Sequence, residues 1–441
     1  MSADSVSRRR LVQLVLIICA AKLFIYLLIL PSFAHGLTKL WGIGPVDNYD
    51  EIARNIWLGH GYRYEADTSL TLMREPGYPY FLAALMRLMG DDPRPAIVAN
   101  VLFTSISALL VSSLSRSISS RPAVWLLTPL LFLLHPGIMI AELRMGVEAP
   151  LILLLLWMFV AMRRALHSGA VADFAKVGLT LGLTCYVRST ALLFPVCLLV
   201  GALLTCRSWS ALMRATLNAV TVIATALLVL TPWIVRNYNL AGQFVPTASV
   251  TGVAMQAGNY ICVHADGKRS FHDLDNDAAR ARNAIAHQEG YDFKPGYYQL
   301  FYDPHDEVTF TASLRRLVLD EYAHSPRTFL KCTSENVFNF WFTGRTWAAT
   351  LVNVCVQLPY LLLALYGLLL GYRTADRIML VQLLLFVAYT WAVYALIHAQ
   401  ARYSMPVVPI LAMLAAIPIA LWVSRSNDPK NTDGPVPDRR T

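Results

Sequence analysis

Charged residues are scarce in this sequence. Asp, Glu, Lys and Arg make up 15% of its 441 residues, whereas 56% of the residues are hydrophobic and the mean hydropathy is +0.48. A soluble globular protein of this length needs more polar surface than this to cover its core. The scarcity of charge therefore excludes a soluble globule and predicts an all-α protein that crosses a membrane many times.

The sequence also lacks the clustered cysteines and histidines of a metal site. Its seven cysteines have no metal-type spacing and its histidines are scattered, so we predict neither a metal nor another cofactor. Five cysteines fall in or beside apolar runs, as small core residues do: Cys19, Cys185, Cys197, Cys206 and Cys355. Cys262 and Cys332 lie in a polar segment instead, and the sequence leaves open whether they pair in an oxidising compartment.

Acidic residues are fewer than basic ones, and the net charge is +9. This excess would suggest a nucleic-acid partner in a soluble protein, but in a membrane protein Lys and Arg mark the cytoplasmic loops. We therefore expect contact with membrane lipid and not with nucleic acid. About ten apolar runs of roughly spanning length are predicted as transmembrane helices: 11–30, 95–114, 122–140, 147–162, 171–187, 189–204, 212–235, 347–370, 378–397 and 403–423. A cleaved signal peptide is the alternative for the first run, which is longer than a usual signal core.

These runs divide the chain into four parts. Residues 1–236 form an N-terminal transmembrane catalytic module with a first outer loop at 45–90, and residues 237–344 form a large polar extracytoplasmic segment. Residues 345–423 return to the membrane, and residues 424–441 form a disordered cytoplasmic tail. The pattern predicts juxtamembrane helices at 48–58 and 80–89 in the first outer loop, and helices at 313–322 and 325–341 in the outer segment.

Four arginines break the positive-inside rule. They fall on the predicted outer side, at or near helix ends: Arg74, Arg188, Arg236 and Arg402. Singly, such an arginine more often reaches a lipid headgroup or pairs with a carboxylate. Together they favour a phosphate at headgroup depth, because guanidinium forks bind phosphate strongly in a partly desolvated site.

Three carboxylates on the same side are candidates for chemistry. Asp47 and Asp50 stand three residues apart at the start of the first predicted surface helix, where they can share one face. Taken alone, the pattern also makes Asp47 a good N-cap of that helix. Glu148 lies just inside an apolar run, where a carboxylate is costly unless it is paired or functional.

The order of several motifs resembles a known superfamily. They are VDNYDEIARNIWLGHGYRY, REPGYPYFLAAL, GVEAPLILLL, YVRSTALLFP, TPWIVRNYN, SPRTFLK and ARYSMPVVP. This ordered set resembles the GT-C glycosyltransferases that use polyprenyl-phosphate sugars, in particular the protein O-mannosyltransferase-like group that includes the lipid A aminoarabinose transferase. The resemblance runs from about Asp47 to Pro409.

The resemblance implies roles for particular residues. An acid of the first outer loop is essential in that family, and Asp47 is its best match here, with Asp50 second. The family often places this Asp about four residues before the Tyr, whereas Asp47 is two residues before Tyr49. The choice between Asp47 and Asp50 therefore stays open. Glu148 matches a second acid. The positions expected around the donor phosphate are Arg74, Tyr78, Arg188, Arg236, Arg402 and Tyr403.

The reaction implied is an inverting sugar transfer on the extracytoplasmic face of the inner membrane. Its donor would be a polyprenyl-phosphate-linked sugar, and its acceptor stays open among a protein, lipid A and a polysaccharide. A lipid-linked sugar flippase is one alternative. The other is an O-antigen ligase-like or polymerase-like transferase with a diphosphate-linked donor.

Overall fold

The computed structural model describes residues 3–33, 47–205, 208–371 and 376–426. Residues 45 and 46 of the predicted loop and most of the predicted tail lie outside this part of the chain. The membrane half contains the following helices: α1 (Ala3–Phe24), α4 (Arg94–Ile118), α5 (Pro122–Leu133), α6 (Pro136–Leu143), α7 (Glu148–Ser168), α8 (Val171–Val187), α9 (Phe194–Thr205), α10 (Trp209–Ala241), α15 (Trp347–Gly371), α16 (Arg377–Ile397) and α17 (Val408–Ser426).

The outer half contains six helices and one small hairpin. The helices are α2 (Tyr49–Trp57), α3 (Gly77–Met89), α11 (Thr251–His264), α12 (Phe271–Gln288), α13 (Pro304–His324) and α14 (Pro326–Phe342). The hairpin pairs β1 (Phe293–Lys294) with β2 (Leu300–Phe301) in antiparallel register. The helices predicted in the outer loop and outer segment are therefore present, although α3 begins three residues and α13 nine residues earlier than expected.

Seven helices of the described residues are long and apolar enough to cross a membrane, and the bent pair α5 and α6 makes an eighth. Each of the ten predicted apolar runs is helical, but α8 has only 17 residues and the run 189–205 is also short. The structure therefore confirms a multi-pass helical membrane protein and does not confirm the count of ten.

The 50° bend between α5 and α6 is built at His135. Pro136 disfavours a helical backbone at the residue before it, and His135 accordingly has an extended conformation (φ −66°, ψ 122°). The bend gives α6 a different direction from α5. Glu142 at the end of α6 is fully buried and accepts hydrogen bonds from Lys22 Nζ of α1 at 2.7 and 2.9 Å. This buried ion pair fixes the turn that leads to Glu148.

The outer segment does not have a core of its own. Its buried side chains pack with those of the first outer loop and α10 in one cluster: Ile52, Tyr62, Tyr64, Met73, Trp233, Val253, Ala286, Phe293, Tyr298, Phe301, Phe310 and Leu314. Glu307 of α13 accepts hydrogen bonds from Thr71 Oγ1 (2.6 Å) and the Leu72 amide (2.8 Å), next to Arg74. Cys262 of α11 and Cys332 of α14 form a disulfide, which decides the pairing that the sequence left open.

Candidate active site

Asp47 lies between two arginines that come from distant parts of the chain. Its Oδ1 accepts a hydrogen bond from Arg402 Nη2 at 3.1 Å and lies 3.6 Å from Arg74 Nη2. The residue is not the N-cap of α2: that position is Asn48, which makes no side-chain capping bond, so the capping interpretation is wrong. Asp47 and Asn48 both have positive φ (59° and 57°), a left-handed conformation that is uncommon for residues other than glycine.

The charge of the arginines controls the ionisation of Asp47. Burial alone would raise the pKa of the carboxyl group, but the positive charges of Arg402, Arg74 and Arg188 hold it well below its usual range. Asp47 is therefore ionised at neutral pH. Its carboxylate is also a weak base as long as these arginines have no other anion nearby.

Stacked tyrosines hold the arginines in place. Tyr394 and Tyr403 stack with ring centroids 4.5 Å apart, and the Arg188 Cζ lies 4.9 Å from the Tyr403 ring centroid. Arg188 Nε donates to the Tyr394 hydroxyl at 2.9 Å, and Arg402 Nη2 donates to the Tyr403 hydroxyl at 3.1 Å. Arg74 donates to the Tyr298 hydroxyl and lies over the same ring. Neutral phenol groups thus fix the three guanidinium groups, and the single negative charge of Asp47 offsets only part of their combined positive charge.

Two cavities meet at Asp47 and Arg402. The smaller, of about 130 Å³, is lined by Arg74, Arg188 and Tyr403 together with Asp47 and Arg402. The larger, of about 340 Å³, is lined by the same Asp47 and Arg402 and by Glu148 from the start of α7. A phosphate in the smaller cavity and a nucleophile in the larger one would therefore approach the carboxylate from two sides.

Three predicted site residues line neither cavity. Asp50 lies in α2, and its electrostatic neighbours are Arg54 and Asp91, so the helix does not bring it beside Asp47. Arg236 packs over the Trp233 ring at 4.3 Å and donates to the Thr71 carbonyl at 3.0 Å. Tyr78 is buried and contacts Tyr49, which lines the smaller cavity, with ring centroids 5.6 Å apart. These three positions stay predictions, now without a direct contact to the cavities.

Residues that the sequence analysis missed also line the site. Arg144 and Arg345 line the larger cavity, Arg282 lines the smaller one, and Asp275 lines both. Burial lowers the pKa of Arg144 to about 10, against the opposing charge of Glu148. Arg144 could have been found, because it lies in the same outer turn as Glu148 and breaks the positive-inside rule. Arg282 and Asp275 carried no such signal, since they belong to a segment rich in charge.

Among the residues that the structure describes, no group of three or more His, Cys, Asp or Glu side chains is arranged to hold a metal ion.

One protein-family model and solved structures of other proteins match this chain. The family described as dolichyl-phosphate-mannose-protein mannosyltransferase matches residues 74–235, which is less than half of the chain. No curated protein sequence matches.

Solved structures are similar in fold at low identity. The oligosaccharyltransferase of Archaeoglobus fulgidus in its apo form is 14% identical with a TM-score of 0.55, over 94% of this chain and 52% of that one. The same enzyme tethered to an acceptor peptide is 13% identical with a TM-score of 0.51, over 86% and 45%. ArnT from Cupriavidus metallidurans bound to undecaprenyl phosphate is 15% identical, over 98% and 82%, with a TM-score of only 0.42.

This chain spans about half the length of the oligosaccharyltransferase that it matches. The similarity to the solved structures concerns the fold, and the family match concerns the sequence from within the first outer loop to the end of the sixth apolar run after it. Both findings agree with the resemblance to the GT-C superfamily of membrane glycosyltransferases that the sequence motifs indicated.

Proposed function

We propose that the protein is an inverting glycosyltransferase that moves a sugar from a polyprenyl-phosphate-linked donor to an acceptor on the extracytoplasmic face of the inner membrane. The observation that carries the proposal is the position of Asp47, a carboxylate between arginines at the junction of two cavities. The matched family is described by a dolichyl-phosphate sugar donor, which agrees with this donor class.

The arginines would bind the donor phosphate and stabilise it as it leaves. Arg74, Arg188 and Arg402 line the smaller cavity, and a phosphate there would accept charge-assisted hydrogen bonds from several guanidinium groups. When the bond between the anomeric carbon and the phosphate oxygen breaks, negative charge grows on that oxygen. Fixed positive groups stabilise this charge in the transition state, so no strong general acid is needed at the leaving oxygen.

Asp47 would act as the general base. The acceptor hydroxyl forms its new bond to the anomeric carbon from the larger cavity, and its proton passes to the Asp47 carboxylate. In the absence of a donor, the arginines keep this carboxylate weakly basic. A bound phosphate would offset part of their charge and thereby raise the basicity of Asp47, so that the base becomes effective when the donor is present. Attack from the side opposite the phosphate inverts the anomeric configuration.

Glu148 would orient the acceptor. It is buried, it lines the larger cavity, and its Oε2 has no hydrogen-bond partner among the described residues. A buried carboxylate oxygen without a partner is unfavourable. An acceptor hydroxyl would satisfy it and would be held near Asp47.

The Cys262–Cys332 disulfide supports the proposed face of the membrane. Disulfides persist in oxidising compartments such as the periplasm and are rare in the cytoplasm. The bond joins α11 and α14 of the outer segment, and residues of α11 and of the turn after α14 line the two cavities. The site and the disulfide therefore share one side of the membrane.

The test uses the purified full-length protein in lipid vesicles, a synthetic polyprenyl-phosphate-linked sugar and a cell-envelope fraction as acceptor source. We expect release of free polyprenyl phosphate, measured by mass spectrometry, together with sugar incorporated into the acceptor fraction. A flippase would move the lipid between leaflets without cleaving it, and that result would refute the proposal. A ligase-like enzyme would release lipid only from a diphosphate-linked donor.

A further inference from the structure

Arg282 is a buried cation that the proposed reaction does not use. It lies on α12, it is 1% exposed, and it lines the smaller cavity. Its Nη1 donates to Gln256 Oε1 at 2.9 Å, and its Nη2 donates to the Tyr297 carbonyl at 3.2 Å. Both acceptors are neutral. In the described residues Arg282 forms no ion pair with a carboxylate, and its Nε has no hydrogen-bond partner. A buried charge in this situation is costly unless a bound anion offsets it.

The acidic groups of the smaller cavity are already engaged elsewhere. Asp47 is paired with Arg402 and Arg74, and Glu75 accepts from the amide and hydroxyl of Ser189 at 2.9 and 2.6 Å. Asp275 accepts from the Tyr297 hydroxyl at 2.7 Å. Burial lowers the pKa of Arg282, and Tyr297 and Asp275 offset this effect only in part.

The cavity therefore offers two places for negative charge. The first lies at Arg74, Arg188 and Arg402, where the donor phosphate is proposed to bind. The second lies at Arg282, which the outer segment contributes to the same cavity. Both places line the same cavity, so one molecule bound there would meet the two sets of arginines.

We infer that the donor carries a second anionic group and that Arg282 is the residue that selects for it. The inference rests on the proposed function and bears on its donor. A carboxylate on the sugar would narrow the polyprenyl-monophosphate class, whereas a second phosphate would replace that linkage by the diphosphate of the ligase-like alternative. The second group is either the second phosphate of a diphosphate linkage or a carboxylate on the transferred sugar, because a planar guanidinium fork binds both.

Three synthetic short-chain lipids separate these sources: a monophosphate donor with a neutral hexose, a monophosphate donor with a hexuronic acid, and a diphosphate donor with a neutral hexose. Dissociation constants are measured for the full-length protein in lipid nanodiscs. We expect the wild type to bind one of the two doubly anionic lipids about 10- to 100-fold more tightly than the neutral-hexose monophosphate.

Arg282→Gln should remove this preference and change the affinity for the neutral-hexose monophosphate by no more than about twofold. Arg282→Lys should keep part of the preference, since it keeps the charge without the fork. Arg280→Gln is the matched control: Arg280 lies on the same helix, is exposed and pairs with Asp277, so the variant should bind all three lipids like the wild type. Thermal unfolding of each variant shows whether it is folded.

The lipid that is preferred identifies the second anion. A wild type that binds all three lipids equally would overturn the inference, and so would an equal loss of all three by a folded Arg282→Gln protein. If Arg282→Gln does not fold, the wild-type preference and Arg282→Lys still decide. Failure of the wild type to bind any of the three lipids would refute the donor class itself, and with it the proposed function.

Discussion

The replacement Asp47→Asn tests the proposed base most directly. Asn has nearly the same shape and can still accept a hydrogen bond from Arg402, but it cannot take a proton at neutral pH. Loss of a general base costs about a hundredfold to ten-thousandfold in rate. Donor binding should not weaken, because Arg74, Arg188 and Arg402 lose a competing negative charge and keep their positions against the tyrosines. The expected signature is a large fall in kcat with an equal or lower donor Kd.

The same change should lower stability by a modest amount. Asp47 and Arg402 are partly exposed (14% and 18% of their side chains), so the loss is smaller than for a fully buried ion pair. We expect about 1 to 2 kcal/mol, because Asn keeps the hydrogen bond and only the attraction between opposite charges is lost. Because the folded-state pKa of Asp47 is lowered, this stabilisation is present above its unfolded pKa and is lost as the pH falls through the folded pKa. The difference in Tm between wild type and variant should therefore be constant from about pH 5 to 8 and shrink below about pH 4.

Transfer of radiolabelled sugar under single-turnover conditions measures the rate, and equilibrium binding of the donor measures the Kd. Asp50→Asn is the matched control on the same loop, since Asp50 lines neither cavity, and it should keep most of the activity. Normal turnover by Asp47→Asn with an inactive Asp50→Asn would move the role of base to Asp50. A loss explained entirely by weaker donor binding would show that Asp47 positions the arginines and takes no proton.

Other changes test the phosphate site, the second carboxylate and the topology. Arg188→Ala and Arg402→Ala should each weaken donor binding about 10- to 100-fold, and Lys at either position should restore part of the affinity. Arg236→Ala should mainly lower the Tm, because Arg236 packs on Trp233. Normal donor affinity in both Arg188→Ala and Arg402→Ala would refute the phosphate site. Glu148→Gln should raise the KM for the acceptor and leave the donor Kd unchanged, and a changed donor Kd alone would place Glu148 with the donor. Asp306 lies in the outer segment, and Arg164 lies between the runs 147–162 and 171–187, on the side that the positive-inside rule makes cytoplasmic. An Asp306→Cys probe should therefore react with a membrane-impermeant maleimide from outside intact cells, and an Arg164→Cys probe should not. The reverse pattern would invert the proposed topology.

The sequence by itself determined the class of the protein and most of its helices. An apolar run of spanning length is a local property, and it predicts a membrane helix whatever its neighbours are. The surface helices α2 and α3 followed in the same way from local spacing and proline positions. The positive-inside rule also selected Arg74, Arg188 and Arg402, because it needs only the alternation of loops. The ordered motifs were sufficient to indicate the GT-C superfamily.

Tertiary structure decided which of these residues meet. Asp47 and Arg402 are separated by 355 positions and share a hydrogen bond, whereas Asp50, three residues from Asp47, lines neither cavity. Arg280 and Arg282 look alike in the sequence, yet one pairs on the surface and the other is buried in the smaller cavity. The physical reason is that the direction of a side chain and the depth at which it is buried depend on the packing of elements distant in the chain. Composition and spacing could therefore propose the charged groups but could not assemble them into a site.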